Sequence, residues 1–212
     1  MIHELRTYTI QPGKVGDYVR LSGSVGRPIR GDRFGKLLGY WTTDLGTLSQ
    51  VVHLWEYADL AARAQARAGL AKDERWTREY VAQSRPFLQA QENMILAPAE
   101  WYPFRPASGM GVYELRIYRL APGKVPEWMG HFRAGLPARE KYSAPVGLWA
   151  TEIGPLNTVA HLWAYRDSNH RIEARAAAYA DPVWKETLAK ITPLMQTMEA
   201  KLLIPTDFSP LK

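Results

Sequence analysis

The feature that most constrains the fold of this chain is an internal repeat. Residues 2–15, IHELRTYTIQPGKV, match residues 112–125, VYELRIYRLAPGKV, at 8 of 14 positions. Residues 39–57, GYWTTDLGTLSQVVHLWEY, match residues 147–165, GLWATEIGPLNTVAHLWAY, at 10 of 19 positions. Self-similarity at a nearly fixed offset indicates two copies of one structural unit.

The repeat also predicts where the chain divides. The proline- and glycine-rich segment 101–111 is typical of a linker, so we expect one domain over residues 1–104 and a second over residues 105–212. The offset between the copies falls from 110 in the first matched block to 108 in the second. The first copy therefore has two extra residues, which we place in the loop between the two blocks.

Each copy has the periodicity of a β-α-β-β-α-β unit. The alternating segments ELRTY and ELRIY, each followed by a PGK turn, predict strands, and apolar residues at helical spacing follow them. Two further strands joined by a short turn predict a hairpin, and alanine- and arginine-rich helices lead to a fourth strand. We expect an α+β chain of two tandem ferredoxin-like repeats that form a pseudo-two-fold α/β barrel, because a second copy would cover the bare face of each sheet.

Composition narrows the function classes. The chain is 46% hydrophobic, which favours a packed globule, and its net charge of +6 is spread over both halves without a basic run. We therefore expect no nucleic-acid partner and, without a long apolar stretch, no membrane insertion. The absence of cysteine excludes disulfides and thiolate metal sites. With an N-terminus that lacks the apolar segment of a signal peptide, these features predict a cytoplasmic protein.

The combination of ELR.Y....PGK, the hairpin GYWTTDLGTLSQVVHLWEY and a helix ending at DERW or DPVW resembles the NIPSNAP family of the dimeric α/β-barrel superfamily. The resemblance covers residues 2–98 and 112–206. It implies a ferredoxin-like α/β barrel that often forms further oligomers, so we expect a homo-oligomer beyond the internal pseudo-dimer. It implies no agreed reaction, since members are described as interaction or trafficking-associated proteins and superfamily neighbours include isomerases, cyclases, monooxygenases and haem enzymes.

Strand alternation sorts the candidate site residues, because every second side chain points to the same face of a sheet. The polar and aromatic face suits the barrel interior, whereas the aliphatic face suits packing against helices. In each copy this places a glutamate, an arginine, a histidine and two tyrosines together. The candidate catalytic residues are Glu4, Tyr8 and His53 with Glu114, Tyr118 and His161, and the candidate substrate-binding residues are Arg6, Trp41, Trp55 and Tyr57 with Arg116, Trp149, Trp163 and Tyr165.

These residue types suit cofactor-independent acid-base chemistry of the isomerase, lyase or cyclase kind on a small, anionic organic molecule. A histidine that titrates near neutrality transfers a proton, a tyrosine donates a hydrogen bond to an oxyanion, and an arginine binds a carboxylate. No cofactor or metal is required. A non-catalytic scaffold with a packed barrel is the alternative, and a metal- or haem-dependent oxidoreductase is a second one. Which copy carries a site stays open, because both sets are intact.

The remaining arginines fall into two groups. Those after the first helix of each copy form loop patches that would guide an anion to the barrel mouth or simply be solvated. Those four residues apart on later helices are expected to be surface or helix-pairing residues. The first group contains Arg27, Arg30, Arg33 and Lys36 with Arg133, Arg139 and Lys141, and the second contains Arg63, Arg67, Arg171 and Arg175.

Overall fold

The chain folds into two successive β-α-β-β-α-β repeats, as the periodicity predicts, and the computed structural model describes all residues from 1 to 212. The first repeat contains β1 (Ile2–Ile10), α1 (Val15–Leu21), a first π-helix (Ser22–Gly26), α2 (Arg27–Arg30), β2 (Lys36–Leu45), β3 (Gln50–Tyr57), α3 (Leu60–Lys72), a second π-helix (Trp76–Val81), α4 (Ala82–Ser84), a 3₁₀ turn (Arg85–Phe87) and β4 (Leu88–Pro98). The second contains β5 (Val112–Leu120), α5 (Val125–Glu140), β6 (Pro145–Ile153), β7 (Thr158–Tyr165), α6 (Ser168–Ala180), α7 (Pro182–Ile191), a 3₁₀ turn (Thr192–Leu194) and β8 (Met195–Pro205).

The eight strands form a closed barrel in the order β1-β3-β2-β8-β5-β7-β6-β4. This confirms the predicted fold class of tandem ferredoxin-like repeats in an α/β barrel. None of the helices combines the length and the apolar character needed to cross a membrane. The cytoplasmic location, the homo-oligomeric state and the lack of a nucleic-acid partner stay predictions.

Contacts group the chain into two compact units. The N-terminal unit contains Met1–Leu96 with Leu203–Lys212, and the C-terminal unit contains Ala97–Leu202. The last residues of the chain join the first unit because they bond to β2: the backbone N–H of Thr206 donates to the Tyr40 carbonyl, and the Tyr40 N–H donates to the Ser209 hydroxyl, both at 3.0 Å. The expectation that residues 1–104 and 105–212 are separate domains stays a prediction.

Strand register brings the predicted residues onto one face in each unit. On the antiparallel strands β1 and β3, Arg6 lies opposite His53. On β5 and β7, Arg116 lies opposite His161. The predicted grouping of these polar and aromatic residues is therefore what the backbone produces.

This face packs against helices, so the prediction that it lines the barrel interior is wrong. Tyr8 and Trp55 share one hydrophobic cluster with Tyr18 of α1, and Trp163 shares another with Trp128 and Phe132 of α5. The reason is electrostatic and steric. Buried charge is costly without counter-charge, and the helices supply it, since Arg63 of α3 bonds Glu4 and Arg171 of α6 bonds Glu114. Large aromatic rings from both sides fill the layer between sheet and helices. The aliphatic residues Leu5, Val52 and Leu54 occupy the opposite face.

The first helix of the two repeats differs by one residue. Matching residues are 110 apart at Val15 and Val125, where the helices begin, but 109 apart at Pro28 and Pro137. The extra residue of the first copy falls in the first π-helix, whereas α5 is regular over the same stretch. One of the two extra residues expected in the loop is therefore accommodated inside a helix, as a wide turn.

A second wide turn has the same origin. Matching residues are 108 apart at Trp76 and Trp184 but 107 apart at Pro86 and Pro193. The extra residue again coincides with a π-helix in the first copy, the one at Trp76–Val81, opposite the regular helix α7. Single-turn π-helices of this kind occur frequently at functional sites.

Candidate binding site in the N-terminal unit

Each unit has a pocket between its sheet and its helices, and the two differ in size. The pocket of the N-terminal unit has a volume of about 650 Å³, and the pocket of the C-terminal unit has a volume of about 160 Å³. Small-molecule sites in proteins have volumes of roughly 300 to 1,000 Å³. Only the N-terminal pocket is large enough for an organic ligand without rearrangement.

Both pockets contain the predicted histidine in the same state. The indole Nε1–H of Trp55 donates to Nδ1 of His53 at 2.5 Å, and Trp163 does the same to His161 at 2.5 Å. Because an indole nitrogen is only a donor, Nδ1 carries no proton and the neutral ring is protonated on Nε2. Burial, followed by nearby arginines, lowers the pKa of both histidines well below 6.5. Each imidazole is therefore neutral at pH 7, and its Nε2 atom has no hydrogen-bond partner.

This tautomer bears on the metal- or haem-dependent alternative. A histidine that binds iron or zinc through Nε2 normally donates its Nδ1–H to an acceptor. Here Nδ1 is itself an acceptor, so ligation through Nε2 would require an imidazolate or loss of the tryptophan bond. The chain also brings together no group of three His, Cys, Asp or Glu side chains suited to a metal ion. The residues present do not fit either a haem ligand or a metal centre.

The predicted glutamates are buried centres of ion clusters. Glu4 accepts from Arg63 at 2.6 Å and from Asn93 at 3.0 Å, and it lies 3.5 Å from Arg6. Burial opposes ionisation, but the hydrogen bond from Arg63 and the charge of Arg6 outweigh it and lower the pKa of Glu4. Neither glutamate bonds the histidine of its unit, so neither fixes an imidazole tautomer.

The cluster of the C-terminal unit is larger. Glu114 accepts from Arg171 at 2.6 Å, from Arg116 at 3.2 Å and from Arg175 at 3.3 Å. The prediction that Arg63, Arg171 and Arg175 are surface or helix-pairing residues is therefore wrong, because each neutralises a buried carboxylate. Arg67, the counterpart of Arg175, forms no ion pair and lines the N-terminal pocket.

Two further arginines belong to the sites and were assigned to loops by sequence. Arg30 is 7% exposed, stacks 3.3 Å above the ring centre of Trp55 and donates to the Tyr57 hydroxyl at 2.7 Å. Arg139 repeats this arrangement over Trp163, at 4.4 Å, and with the Tyr165 hydroxyl, at 3.3 Å. Neither bonds a carboxylate. The signal in the sequence is a recurring Pro-x-Arg, RPIR and LPAR, after the first helix of each copy.

The predicted substrate-binding residues Trp41 and Trp149 lie outside both pockets. Trp41 pairs with Val52 across the β2–β3 hairpin, so it points to the face opposite His53. Its ring covers Gly39, where an added Cβ would come within 2.0 Å of it. Tyr40 pairs with His53 instead and stacks on it, with ring centres 4.8 Å apart. Alternation along β2 identifies Tyr40, whereas the choice of tryptophan by residue type was wrong.

The two pockets differ in the bonding of the strand arginine and of the neighbouring tyrosine. In the C-terminal unit, Nε of Arg116 donates to the Tyr118 hydroxyl. In the N-terminal unit, Nε of Arg6 has no partner, and the Tyr8 hydroxyl makes no hydrogen bond, only an edge contact to His53 with ring centres 4.8 Å apart. Arg6, Tyr8 and His53 therefore bring three unused donors to one pocket wall.

Aromatic side chains account for the small volume of the C-terminal pocket. Trp128 and Phe132 of α5 stack with ring centres 4.6 Å apart, and Trp184 of α7 contacts Phe132 edge-on. In the N-terminal unit the residue matching Phe132 is Ser22. A benzyl group therefore fills space in one unit that the other leaves open.

The NIPSNAP family model matches residues 3–103 and again residues 113–210. A NipSnap homolog from Dictyostelium discoideum is 34% identical over 209 residues, which cover 96% of this chain and 87% of that protein. Human NipSnap homolog 2 is 31% identical over 214 residues, covering 100% of this chain and 75% of that protein.

Solved structures resemble the chain in two ways. A NIPSNAP family protein from Agrobacterium tumefaciens is 40% identical and covers 49% of this chain and 98% of its own, with a TM-score of 0.47. A putative monooxygenase from Lactobacillus acidophilus is only 15% identical, but covers 96% of this chain and 93% of its own with a TM-score of 0.69, which shows a shared fold. With the family model matched in both repeats and full-length relatives above 30% identity, the chain belongs to the NIPSNAP family.

Proposed function

We propose that the N-terminal unit binds a small organic anion in its 650 Å³ pocket. The observation that carries this proposal is that this pocket combines room for an organic ligand with three unused donors, from Arg6, Tyr8 and His53. Buried donors without partners are rare in folded proteins, because each costs about 1 to 3 kcal/mol of desolvation. A ligand oxygen that accepts from them removes that cost.

The charge of the pocket supports an anion over a neutral ligand. Its lining includes five arginines and no aspartate or glutamate. Arg6 and Arg27 have carboxylate partners, whereas Arg67 and Arg85 have none and Arg30 bonds only a carbonyl and a hydroxyl. Guanidinium groups without counter-charge favour a carboxylate, phosphate or enolate.

The same residues favour electrophilic over acid-base chemistry. His53 is neutral and protonated on Nε2, and burial raises the pKa of Tyr8, so both groups carry a proton that they can donate at pH 7. No carboxylate lines the pocket to abstract a proton. We therefore assign His53, Tyr8 and Arg6 to binding and polarising a carbonyl or oxyanion, in place of proton transfer through a histidine that titrates near neutrality.

The scaffold alternative fits the C-terminal unit. The Nε–H of Arg116 is paired with the Tyr118 hydroxyl, Glu114 is held by three arginines, and aromatic rings reduce the pocket to about 160 Å³. We propose that this unit completes the fold without binding a ligand.

The test is calorimetric titration with 2-naphthoate and with its neutral counterpart 2-naphthamide. We expect 2-naphthoate to bind one site per chain and 2-naphthamide to bind at least tenfold more weakly. Tyr8→Phe removes only a hydroxyl and should reduce the affinity for 2-naphthoate about tenfold, the equivalent of one buried hydrogen bond. The matched control Tyr118→Phe should leave it unchanged. Equal binding of acid and amide, or equal effects of the two variants, would contradict the proposal.

A further inference from the structure

A connected group of hydroxyls lines the N-terminal pocket beside His53. The Tyr40 hydroxyl donates to Ser22 at 3.3 Å, Ser22 and Tyr80 are joined at 2.9 Å, and the Tyr80 hydroxyl donates to Tyr18 at 3.3 Å. The hydroxyls of Tyr18 and Tyr40 also lie close enough to interact electrostatically. We call these four residues, Tyr18, Ser22, Tyr40 and Tyr80, the hydroxyl ring.

The C-terminal unit has no hydroxyl ring. Trp128, Phe132 and Leu148 stand at the positions of Tyr18, Ser22 and Tyr40. The fourth position follows from the contacts of a glycine: an added Cβ on Gly26 would meet the Tyr80 ring at 2.7 Å, and on the matching Gly135 it would meet Thr187 at 1.9 Å. The hydroxyl of Thr187 donates to the Val183 carbonyl of its own helix at 2.9 Å, and Thr187 does not line the C-terminal pocket.

The two π-helices supply half of the ring. Ser22 begins the first π-helix and Tyr80 lies in the second. The first π-helix also contains Gly23, where a Cβ would lie 2.6 Å from the Phe208 ring, and Gly26, which Tyr80 covers. These glycines let two aromatic rings approach the helix backbone. The extra residue in each helix and the glycines together position hydroxyls that the regular helices of the second copy lack.

The bonding pattern of the ring defines what it recognises. Three hydrogen bonds join the four hydroxyls and use three of their four protons, leaving only that of Tyr18, and each oxygen keeps a free lone pair. Burial raises the pKa of Tyr18 and Tyr40 well above 10, so these groups stay neutral and do not offset the arginines. The ring therefore offers four acceptor oxygens against one free proton, which favours a neutral donor.

We propose that the hydroxyl ring is a specificity subsite for a hydroxyl group, and that the ligand of the N-terminal pocket is a hydroxylated organic acid. This inference rests on the proposed anion site and adds a second contact to it. The arginines and the donors of Arg6, Tyr8 and His53 bind the anionic end. The hydroxyl ring accepts a hydrogen bond from an O–H elsewhere on the same molecule.

The test compares 2-naphthoate with a panel of hydroxy-2-naphthoates that carry the hydroxyl at different carbons, and with their methoxy counterparts. We expect at least one hydroxy acid to bind about tenfold more tightly than 2-naphthoate, and its methoxy counterpart, which has no proton to donate, to show no gain. Tyr80→Phe keeps the ring that packs on Gly26 and should abolish the gain while 2-naphthoate binding stays within twofold. Thr187→Val is the matched control and should preserve it.

Ser22→Ala provides a second variant and should also abolish the gain. A panel in which no hydroxy acid binds more tightly than 2-naphthoate overturns the subsite and leaves the anion site standing, as does a gain that persists in both variants. Failure of every acid to bind, 2-naphthoate included, overturns the anion site and the subsite together.

Discussion

The two units share a strand framework and differ in their helical cover. Both place a histidine bonded to a tryptophan, a buried glutamate and an arginine stacked on an indole on the same sheet face. The cavity over that face is about 650 Å³ in the N-terminal unit and only about 160 Å³ in the C-terminal unit. Reactive residue types on a strand therefore do not make a site by themselves, since the helices decide whether a ligand has room.

The helices of the two units differ by two residues inserted in the first copy and by a few substitutions. Each insertion coincides with a π-helix, and each substitution from an aromatic or aliphatic residue to a hydroxyl residue lies on the pocket wall. The C-terminal unit has the same strands without these insertions and hydroxyl residues, and its pocket is smaller. The following predictions test this comparison, beginning with the largest effect in free energy.

Removing the Phe132 ring should destabilise the C-terminal unit far more than removing the Ser22 hydroxyl destabilises the N-terminal unit. Phe132→Ala leaves a cavity among Trp128 and Trp184, and we expect it to lower the free energy of unfolding by about 3 to 5 kcal/mol. Ser22→Ala removes one hydroxyl beside an existing cavity and should cost about 1 kcal/mol. Urea denaturation of both variants gives the comparison. Similar losses would mean that the two pockets are equally packed in solution.

Filling the N-terminal pocket should abolish binding. Ser22→Phe installs the residue of the C-terminal copy at the matching position, and we expect the affinity for 2-naphthoate to fall about 100-fold, or roughly 2.7 kcal/mol. Ser22→Ala, the control, keeps the space and should bind 2-naphthoate within twofold of the wild type. Calorimetry measures both, and unchanged binding by Ser22→Phe would place the anion elsewhere.

Acid should destabilise both units through their histidines to the same extent. Because burial lowers the pKa of His53 and His161 well below 6.5, each takes up a proton on unfolding when the pH is below 6.5. Their contribution to stability is present above pH 6.5 and is lost as the pH falls, by about 1.4 kcal/mol per pH unit for each histidine.

The check is the slope of unfolding free energy between pH 5 and 6.5 in the wild type, His53→Gln and His161→Gln. Each substitution should reduce the slope by the same amount. A change in only one variant would show that the shared tryptophan-histidine pair has different surroundings in the two units.

Restoring a regular first helix should have the smallest effect. Ser24 is exposed within the first π-helix, and its deletion gives the first copy the helix length of the second. We expect a loss of about tenfold, or roughly 1.4 kcal/mol, in affinity for 2-naphthoate. The reason is that the deletion would rotate the side chains of this helix that line the pocket. Inserting a serine after Arg133 of α5 is the matched change and should leave this affinity unaltered. If the deletion variant binds normally, the π-helix does not shape the site.

The sequence predicted the fold and the strand face of the site but not the side of the sheet on which the site lies. Alternation groups Arg6 with His53 in any model of the sheet, because it depends only on local geometry. Whether helices or the barrel interior cover that face depends on long-range packing. The one-residue insertions are visible in the sequence as a change in the spacing between matching residues of the two copies. This spacing does not show whether an extra residue lengthens a loop or forms a π-helical turn. Arg30 was missed as a site residue because its glycine-rich surroundings indicated a loop.

The central claim is that one of two equivalent histidine pockets binds an anion, and imidazole NMR tests it without perturbing the protein. The side-chain nitrogen signals of His53 and His161, assigned through their glutamine variants, would be followed while 2-naphthoate is added to ¹⁵N-histidine-labelled protein. We predict that the Nε2 signal of His53 shifts in a saturable way and that the signals of His161 stay fixed. Equal shifts of both histidines, or a shift of His161 alone, would contradict the account.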